Sequence, residues 1–275
     1  EGLETHLKQL TSEVVSVKKS FDEYKIETEK QIQVLTKENN EIKEEFKNIM
    51  KFYLDLGIDG FRLDAVKYYY FNNNAKNIEF LRWLNTTVKE IKPDAYIVGE
   101  CFDGYELISE YYDSGIDSHF NFATSVAYAS QSGVINGTNP EGRGITSYYN
   151  SLVSNYNIGN GQGIPAPFID NHDTFERSDG QSNQFGGYNV DLSSDRVKAQ
   201  ILQANAYILM MPGIPCVFWP HWKMYEKEIN EMIAIRKKAG IHSESLVTDE
   251  TSGTLKYSAT IHGKNGKVIL RLGNN

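Results

Sequence analysis

Three apolar, β-prone runs in this chain each end on a carboxylate: GIDGFRLDAVK (57–67), YIVGECFD (96–103) and PFIDNHD (167–173). An unpaired charge at the end of a buried strand is costly. Three such ends in succession, one or two βα units apart, point to an acid/base site at the rim of a barrel-like sheet rather than to packing.

The rest of the pattern supports a parallel sheet. Strand-like runs fall at 58–63, 95–99, 116–122, 164–169 and 214–219, with helix-like stretches at 75–91, 104–113, 194–210 and 223–239. Strands alternating with helices predict an α/β fold with a parallel sheet. The segment 123–163 is rich in Gly, Ser, Asn and Tyr, and 174–193 reads as a long loop after a strand end, where barrel enzymes carry function. The tail differs: LKYSATI (255–261) and KVILRL (267–272) flank HGKNG, which predicts a hairpin and a small antiparallel β module.

The N-terminal region has another period. Residues 3–56 hold no Gly, and the first Pro is Pro93. Apolar residues recur at Leu3, Leu7, Leu10, Val14, Val17, Phe21 and Tyr24 in alternating steps of four and three, a heptad seam. Thr28 follows on the seam, a second step of four reaches Ile32, and the seam resumes through Leu35, Asn39, Ile42, Phe46 and Ile49. Two consecutive steps of four are a stutter. A helix of this length predicts a coiled coil and a homo-oligomer. A solvated extension of a shorter domain helix is the plainer alternative. The expected domains are a heptad helix over 1–40, a catalytic α/β domain over 41–240 and a β module over 241–275.

Composition narrows the function. The net charge is −8, which disfavours nucleic acid, whose phosphates need a basic surface. It suits a neutral ligand such as a sugar. No apolar run is long enough to span a bilayer. No segment reads as a signal peptide, and the opening on Glu1 is read as a processed or truncated product, so the compartment stays open. Cys101 and Cys216 lie far apart in apolar runs and are read as buried free thiols, with a pair not excluded by spacing.

The strand ends suggest roles. Arg62 and Asp64 share a face by alternation, so the cation favours an ionised Asp64, as a glycosyl nucleophile requires. Glu100, between Gly99 and Cys101, is placed for the raised pKa of a general acid. Asp173, after Asn171 and His172, adds a third carboxylate and an imidazole able to grip sugar hydroxyls. Together they imply two-step retaining glycoside hydrolysis. Singly, each has a plainer reading. A strand-end Asp caps a helix or forms a turn, His172 is a loop histidine, Lys67 a solvated helix residue, and Trp219 and Trp222 are core or lid packing.

These motifs resemble those of the α-amylase superfamily, glycoside hydrolase family 13. GFRLDAVK is similar to its second conserved region, YIVGE to its third and FIDNHD to its fourth, in the same order and spacing. The segments 204–222 and 228–242 resemble the eighth strand and last helix of plant-type and related bacterial α-amylases, and 41–54 resembles the helix leading into the fourth strand. The resemblance covers roughly 41–275. It implies strands four to eight of a (β/α)8 barrel, followed by a short C-terminal β domain, and a substrate of α-1,4-linked glucan. It implies Asp64 as nucleophile, Glu100 as acid/base and Asp173 as transition-state stabiliser, with Arg62, Lys67 and His172 as substrate-site residues.

The departures are specific. The family's first conserved region, its first three barrel strands and its inserted calcium-binding domain have no counterpart here. Calcium is the family's cofactor, and the one ligand the resemblance leaves in this chain is the backbone carbonyl of Tyr68. Two rival functions stay open: an α-glucanotransferase, and a coiled-coil assembly protein carrying an inactive, glycan-binding amylase remnant.

Overall fold

A computed structural model describes residues 2–71, 73–103, 105–122, 164–173, 195–253 and 256–273. The Gly/Ser/Asn/Tyr-rich segment 123–163 and the expected long loop 174–193 lie outside the described residues. The chain divides into two compact units, one of residues 1–59 and 87–93, the other of 60–86 and 94–275.

The first unit is built on α1 (Gly2–Asp55), 54 residues long and therefore about 80 Å. The absence of Gly and Pro lets the i→i−4 ladder run unbroken through both seams and the stutter. Gly57 ends it: at φ +95° it takes the left-handed conformation that terminates helices, and its amide bonds the Leu54 carbonyl at 3.0 Å. Among the described side chains of α1, the buried apolar ones are Met50 and Leu54 in its last turns. After the helix, the Lys92 ammonium ties down the chain by bonding Ile58 O and Asp59 Oδ1, both at 2.9 Å.

The second unit holds two sheets. β1 (Gly60–Leu63), β2 (Tyr96–Gly99), β3 (Ser118–Asn121) and β4 (Ala166–Pro167) form a parallel sheet in that order. Phe168 makes one further parallel bridge to Cys216. The expected parallel α/β arrangement is therefore present. The fifth strand is shorter than expected: the Ile214 and Cys216 amides bond Pro165 O (3.0 Å) and Pro167 O (2.9 Å), with one bridge at Cys216, before the chain turns into a helix at Trp219.

α2 (Asn74–Ile91) connects β1 to β2, and α3 (Tyr105–Tyr111) with a 3-10 turn (Tyr112–Ser114) connects β2 to β3. Val66, Leu81, Cys101, Ile108, Tyr111 and Tyr112 form one buried cluster. Asn77 is fully buried and satisfied. Its amide donates to Lys67 O (2.7 Å) and Tyr111 Oη (2.9 Å), and its carbonyl accepts from the Tyr70 amide (2.6 Å). It thereby fixes the loop leaving β1.

The expected helix at 223–239 is two: α5 (Trp219–Met224) and α6 (Glu226–Ala239), following α4 (Asp195–Met210). Arg236 of α6 donates to the carbonyls of Leu209, Met211 and Gly213 at 2.6–2.9 Å, satisfying the end of α4.

The C-terminal module has three antiparallel strands: β5 (Leu246–Gly253), β6 (Lys256–Gly263) and β7 (Gly266–Gly273). The hairpin expectation missed β5, whose polar TDETSG sequence hides its pairing. It is irregular, with Asp249 at φ +53° and a register shift between Thr248 and Thr251. The module shares a core with α4 and α6, in which Tyr207 meets Tyr257 edge-on at 5.4 Å. A Cβ on Gly263 would lie 2.1 Å from Ala239 O, so the β6–β7 turn needs glycine to reach the end of α6.

Candidate active site

β1 and β2 pair from Gly60↔Tyr96 to Leu63↔Gly99, so the next residues, Asp64 and Glu100, emerge side by side at the carboxyl ends of adjacent strands. Two glycines permit this. A Cβ on Gly60 would lie 1.8 Å from Tyr96 O, and one on Gly99 would lie 2.8 Å from the His119 ring. After Asp64 the chain breaks out of the strand at Ala65, a non-glycine residue at φ 46°, ψ 45°. This uncommon conformation lets the Val66 amide bond Glu100 O (3.0 Å), while the Glu100 amide bonds Leu63 O (2.8 Å). Both carboxylate-bearing residues are thus locked by main chain.

Arg62 bridges the two. Its Nη1 donates to Asp64 Oδ1 at 2.5 Å and its Nη2 to Glu100 Oε2. Its guanidinium also lies over the Phe120 ring, 6.0 Å from the centroid. The environments of the two acids differ. The Asp64 side chain is 73% exposed and that of Glu100 15%. Hydrogen bonding to Arg62, and then to Glu100, lowers the Asp64 pKa. Burial raises that of Glu100 against the pull of Arg62, and the nearby charges of Asp64 and Asp173 raise it further. The two environments therefore shift the acids in opposite directions, Asp64 down and Glu100 up.

Asp173 and His172 follow the end of β4. Asn171 Oδ1 accepts the Asp173 amide (2.9 Å), Asp170 Oδ1 accepts the Asn171 amide (3.0 Å), and His172 Nε2 lies 3.5 Å from Asp173 Oδ1. His172 is within electrostatic reach of Asp64, as Asp173 is of Glu100. Lys67 is not the solvated residue of the plainer reading. Its ammonium is bonded to Phe102 O (2.6 Å) and Asp103 Oδ2 (2.8 Å). Burial works against that charge, but Asp103 outweighs it, so the Lys67 pKa is raised.

Several features were missed in the sequence. Asp170, which directly ends its apolar run, is buried with His221, whose Nε2 lies 3.4 Å from Asp170 Oδ2. The strand-end rule that selected Asp64 and Glu100 also selects Asp170, but it was applied to the later Asp173. Trp219 is largely exposed and stacked on Trp222 (4.7 Å between centroids, 23°), which corrects the core reading for that residue. Both cysteines are free. Cys101 is buried, its thiol pushed up to about 12 by desolvation, whereas Cys216 is exposed, against expectation, because it sits at a lone bridge rather than inside a strand.

A calcium ion takes six to eight oxygen ligands. Tyr68 lies in a 3-10 turn and offers one carbonyl, and among the described residues no cluster of three or more His, Cys, Asp or Glu could hold a metal. The described residues therefore do not fit the ion.

A parallel sheet carrying two carboxylates at adjacent strand ends defines the site of an α/β protein. The alpha-amylase catalytic-domain family matches residues 16–250, and the chain belongs to that family. It is 34% identical over 183 residues to Alpha-amylase 3 of Dictyoglomus thermophilum, covering 66% of this chain and 32% of that protein. It is 27% identical over 195 residues to a cyclomaltodextrin glucanotransferase of Thermoanaerobacterium thermosulfurigenes, covering 67% of this chain and 22% of that protein. Among solved structures, Eubacterium rectale Amy13B superposes with a TM-score of 0.68 at 27% identity, covering 84% of this chain and 54% of that one. The chain thus spans between about a fifth and a half of these relatives.

Proposed function

We propose that this chain carries strands four to eight of an α-amylase-type barrel with its C-terminal β module, and that it acts as a retaining glycoside hydrolase on α-1,4-linked glucans such as starch or glycogen. The observation that carries this reading is the single guanidinium of Arg62 joining Asp64 and Glu100 at adjacent strand ends, with opposite pKa shifts on the two acids. Ionised Asp64 attacks the anomeric carbon while Glu100 gives its proton to the departing glycosidic oxygen. Glu100, now a carboxylate, takes a proton from water, which attacks the same carbon and releases Asp64. Asp173 faces the positive charge that develops on the ring, and His172 and Lys67 hold hydroxyls.

Arg62, bonded to both carboxylates, keeps Asp64 and Glu100 oriented toward the same sugar.

Reducing-sugar release from soluble starch tests the reading. Asp64→Asn and Glu100→Gln are each expected to abolish it in protein that stays folded; turnover that survives Glu100→Gln removes the assignment. The glucanotransferase relative supports a second reading, in which a sugar hydroxyl replaces water as acceptor. Products longer than the supplied maltooligosaccharide favour transfer, and only shorter ones favour hydrolysis. α1 supports a coiled-coil assembly role beside either chemistry. If both variants retain glucan binding and the parent chain lacks turnover, assembly and glycan binding remain as its function.

A further inference from the structure

α1 carries an apolar seam that its own turns cannot bury. Leu10, Val17, Phe21, Tyr24, Ile32 and Leu35 are all more than half exposed, with Val17 at 70% and Tyr24 at 71%. In heptad terms Val14, Phe21, Ile32, Asn39 and Phe46 occupy the a positions, and Leu10, Val17, Tyr24, Leu35, Ile42 and Ile49 the d positions. The stutter between Thr28 and Ile32 unwinds the supercoil locally without breaking the seam.

The flanking charges then select an arrangement. Glu13, Ser20, Gln31, Glu38 and Glu45 fall at g, and Lys18, Lys25, Thr36, Lys43 and Met50 at e, each five residues later. In a parallel pair, each g residue meets the partner's e residue five positions on. That sets Glu13 against the partner's Lys18 and Glu38 against the partner's Lys43, with no like-charged pair among the five. An antiparallel pair sets g against g and e against e, so Glu meets Glu and Lys meets Lys. Asn39 at an a position adds register: only an aligned parallel pair places it opposite another Asn able to hydrogen-bond with it. Glu13 accepts a bond from Gln9 at 3.2 Å within its own helix, an exposed contact that exchanges readily.

We propose that α1 pairs in parallel and in register with α1 of a second copy of this chain, along the seam from Leu10 to Ile49, with the Glu13–Lys18 and Glu38–Lys43 pairs setting the orientation. The inference rests on reading α1 as an assembly helix and does not depend on the glycosidase reading.

The test is the mass of the full chain by sedimentation and light scattering, expected at twice the chain mass and falling on dilution. The double variants Glu13→Lys/Glu38→Lys and Lys18→Glu/Lys43→Glu should each weaken self-association roughly tenfold or more, and their equimolar mixture should restore it. Leu35→Cys, in a Cys216→Ser background, should form a dimer disulfide on mild oxidation. A monomer at every concentration, a trimeric or larger mass, a dimer indifferent to both charge reversals, or failure of the disulfide in a stable dimer would each overturn the proposal. Starch turnover, measured on the same samples, bears only on the glycosidase reading.

Discussion

α1 and the parallel sheet use hydrophobic pattern in opposite ways. Around the parallel sheet the core residues Ile97, Leu81 and Val66 are fully enclosed. In α1 the apolar residues are as regular but lie in solvent, from Leu10 to Ile49. A pattern that the fold buries stabilises the monomer; one it leaves exposed has free energy to gain only from another surface. The difference separates a region whose apolar pattern is enclosed from one whose pattern is left in solvent.

The largest effect that would sharpen this contrast is on turnover. Glu100→Gln should reduce starch hydrolysis by about three orders of magnitude or more, since general-acid help alone contributes roughly 10²–10⁴-fold. Val17→Ala should leave the rate per chain unchanged. Comparable losses would break the division of roles.

Stability comes next. Leu81→Ala removes a fully buried side chain and should destabilise the protein by about 2–5 kcal/mol, read from urea unfolding. Val17→Ala, measured at a concentration too low for self-association, should cost less than about 0.5 kcal/mol. Equal costs would mean that α1 is covered within the monomer.

A smaller effect follows from His119. It is buried in β3 against Gly99, edge-on to Tyr112 at 4.8 Å. Burial drops its pKa to about 4. The unfolded chain therefore binds the proton first, and stability is lost as pH falls from about 6.5 through about 4, by on the order of 3 kcal/mol. His119→Gln should remove that acid slope from a urea-unfolding series. α1 offers no such buried base, so a slope that persists unchanged in the variant would place the acid sensitivity elsewhere.

Arg62→Met should move pH dependence more than stability. Removing the cation raises the pKa of both Asp64 and Glu100, because Arg62 lowers each. Both limbs of the pH–rate profile should shift to higher pH, in addition to a fall in rate. The smallest effect is expected in the first unit. Lys92→Ala deletes the pair with exposed Asp59 and the bond to Ile58 O. The share due to Asp59 should be a small one, lost as pH falls through the carboxylate range because that pair lowers the Asp59 pKa, as urea unfolding at two pH values would read.

Much of the fold was legible because its signals are local. The heptad of α1 and the runs of β1, β2 and β3 all follow from spacing within a few residues. β5 was not legible, since its polar residues are held by pairing to β6 and not by their own pattern. The split between α5 and α6 at Tyr225 was hidden by one continuous helical composition. At the site, Asp64 and Glu100 could be picked out because a carboxylate ending an apolar run is visible in one dimension, a rule that meets Asp170 before Asp173. Asp103, His119 and His221 could not, because each gains its role from a residue 20 or more positions away.

The sequence by itself determined the element types, the long helix, the strand-end carboxylates and, through the motifs those carboxylates sit in, the family. Periodicity and local chemistry suffice for these, because they depend on neighbours along the chain. Tertiary structure alone decided the opposite pKa shifts of the two acids. Asp64 and Glu100 are 36 residues apart, and only the β1–β2 register sets them side by side, exposes one, buries the other and places Arg62 between them. Electrostatic asymmetry arises from distance and desolvation in space, and neither is written in the order of the residues.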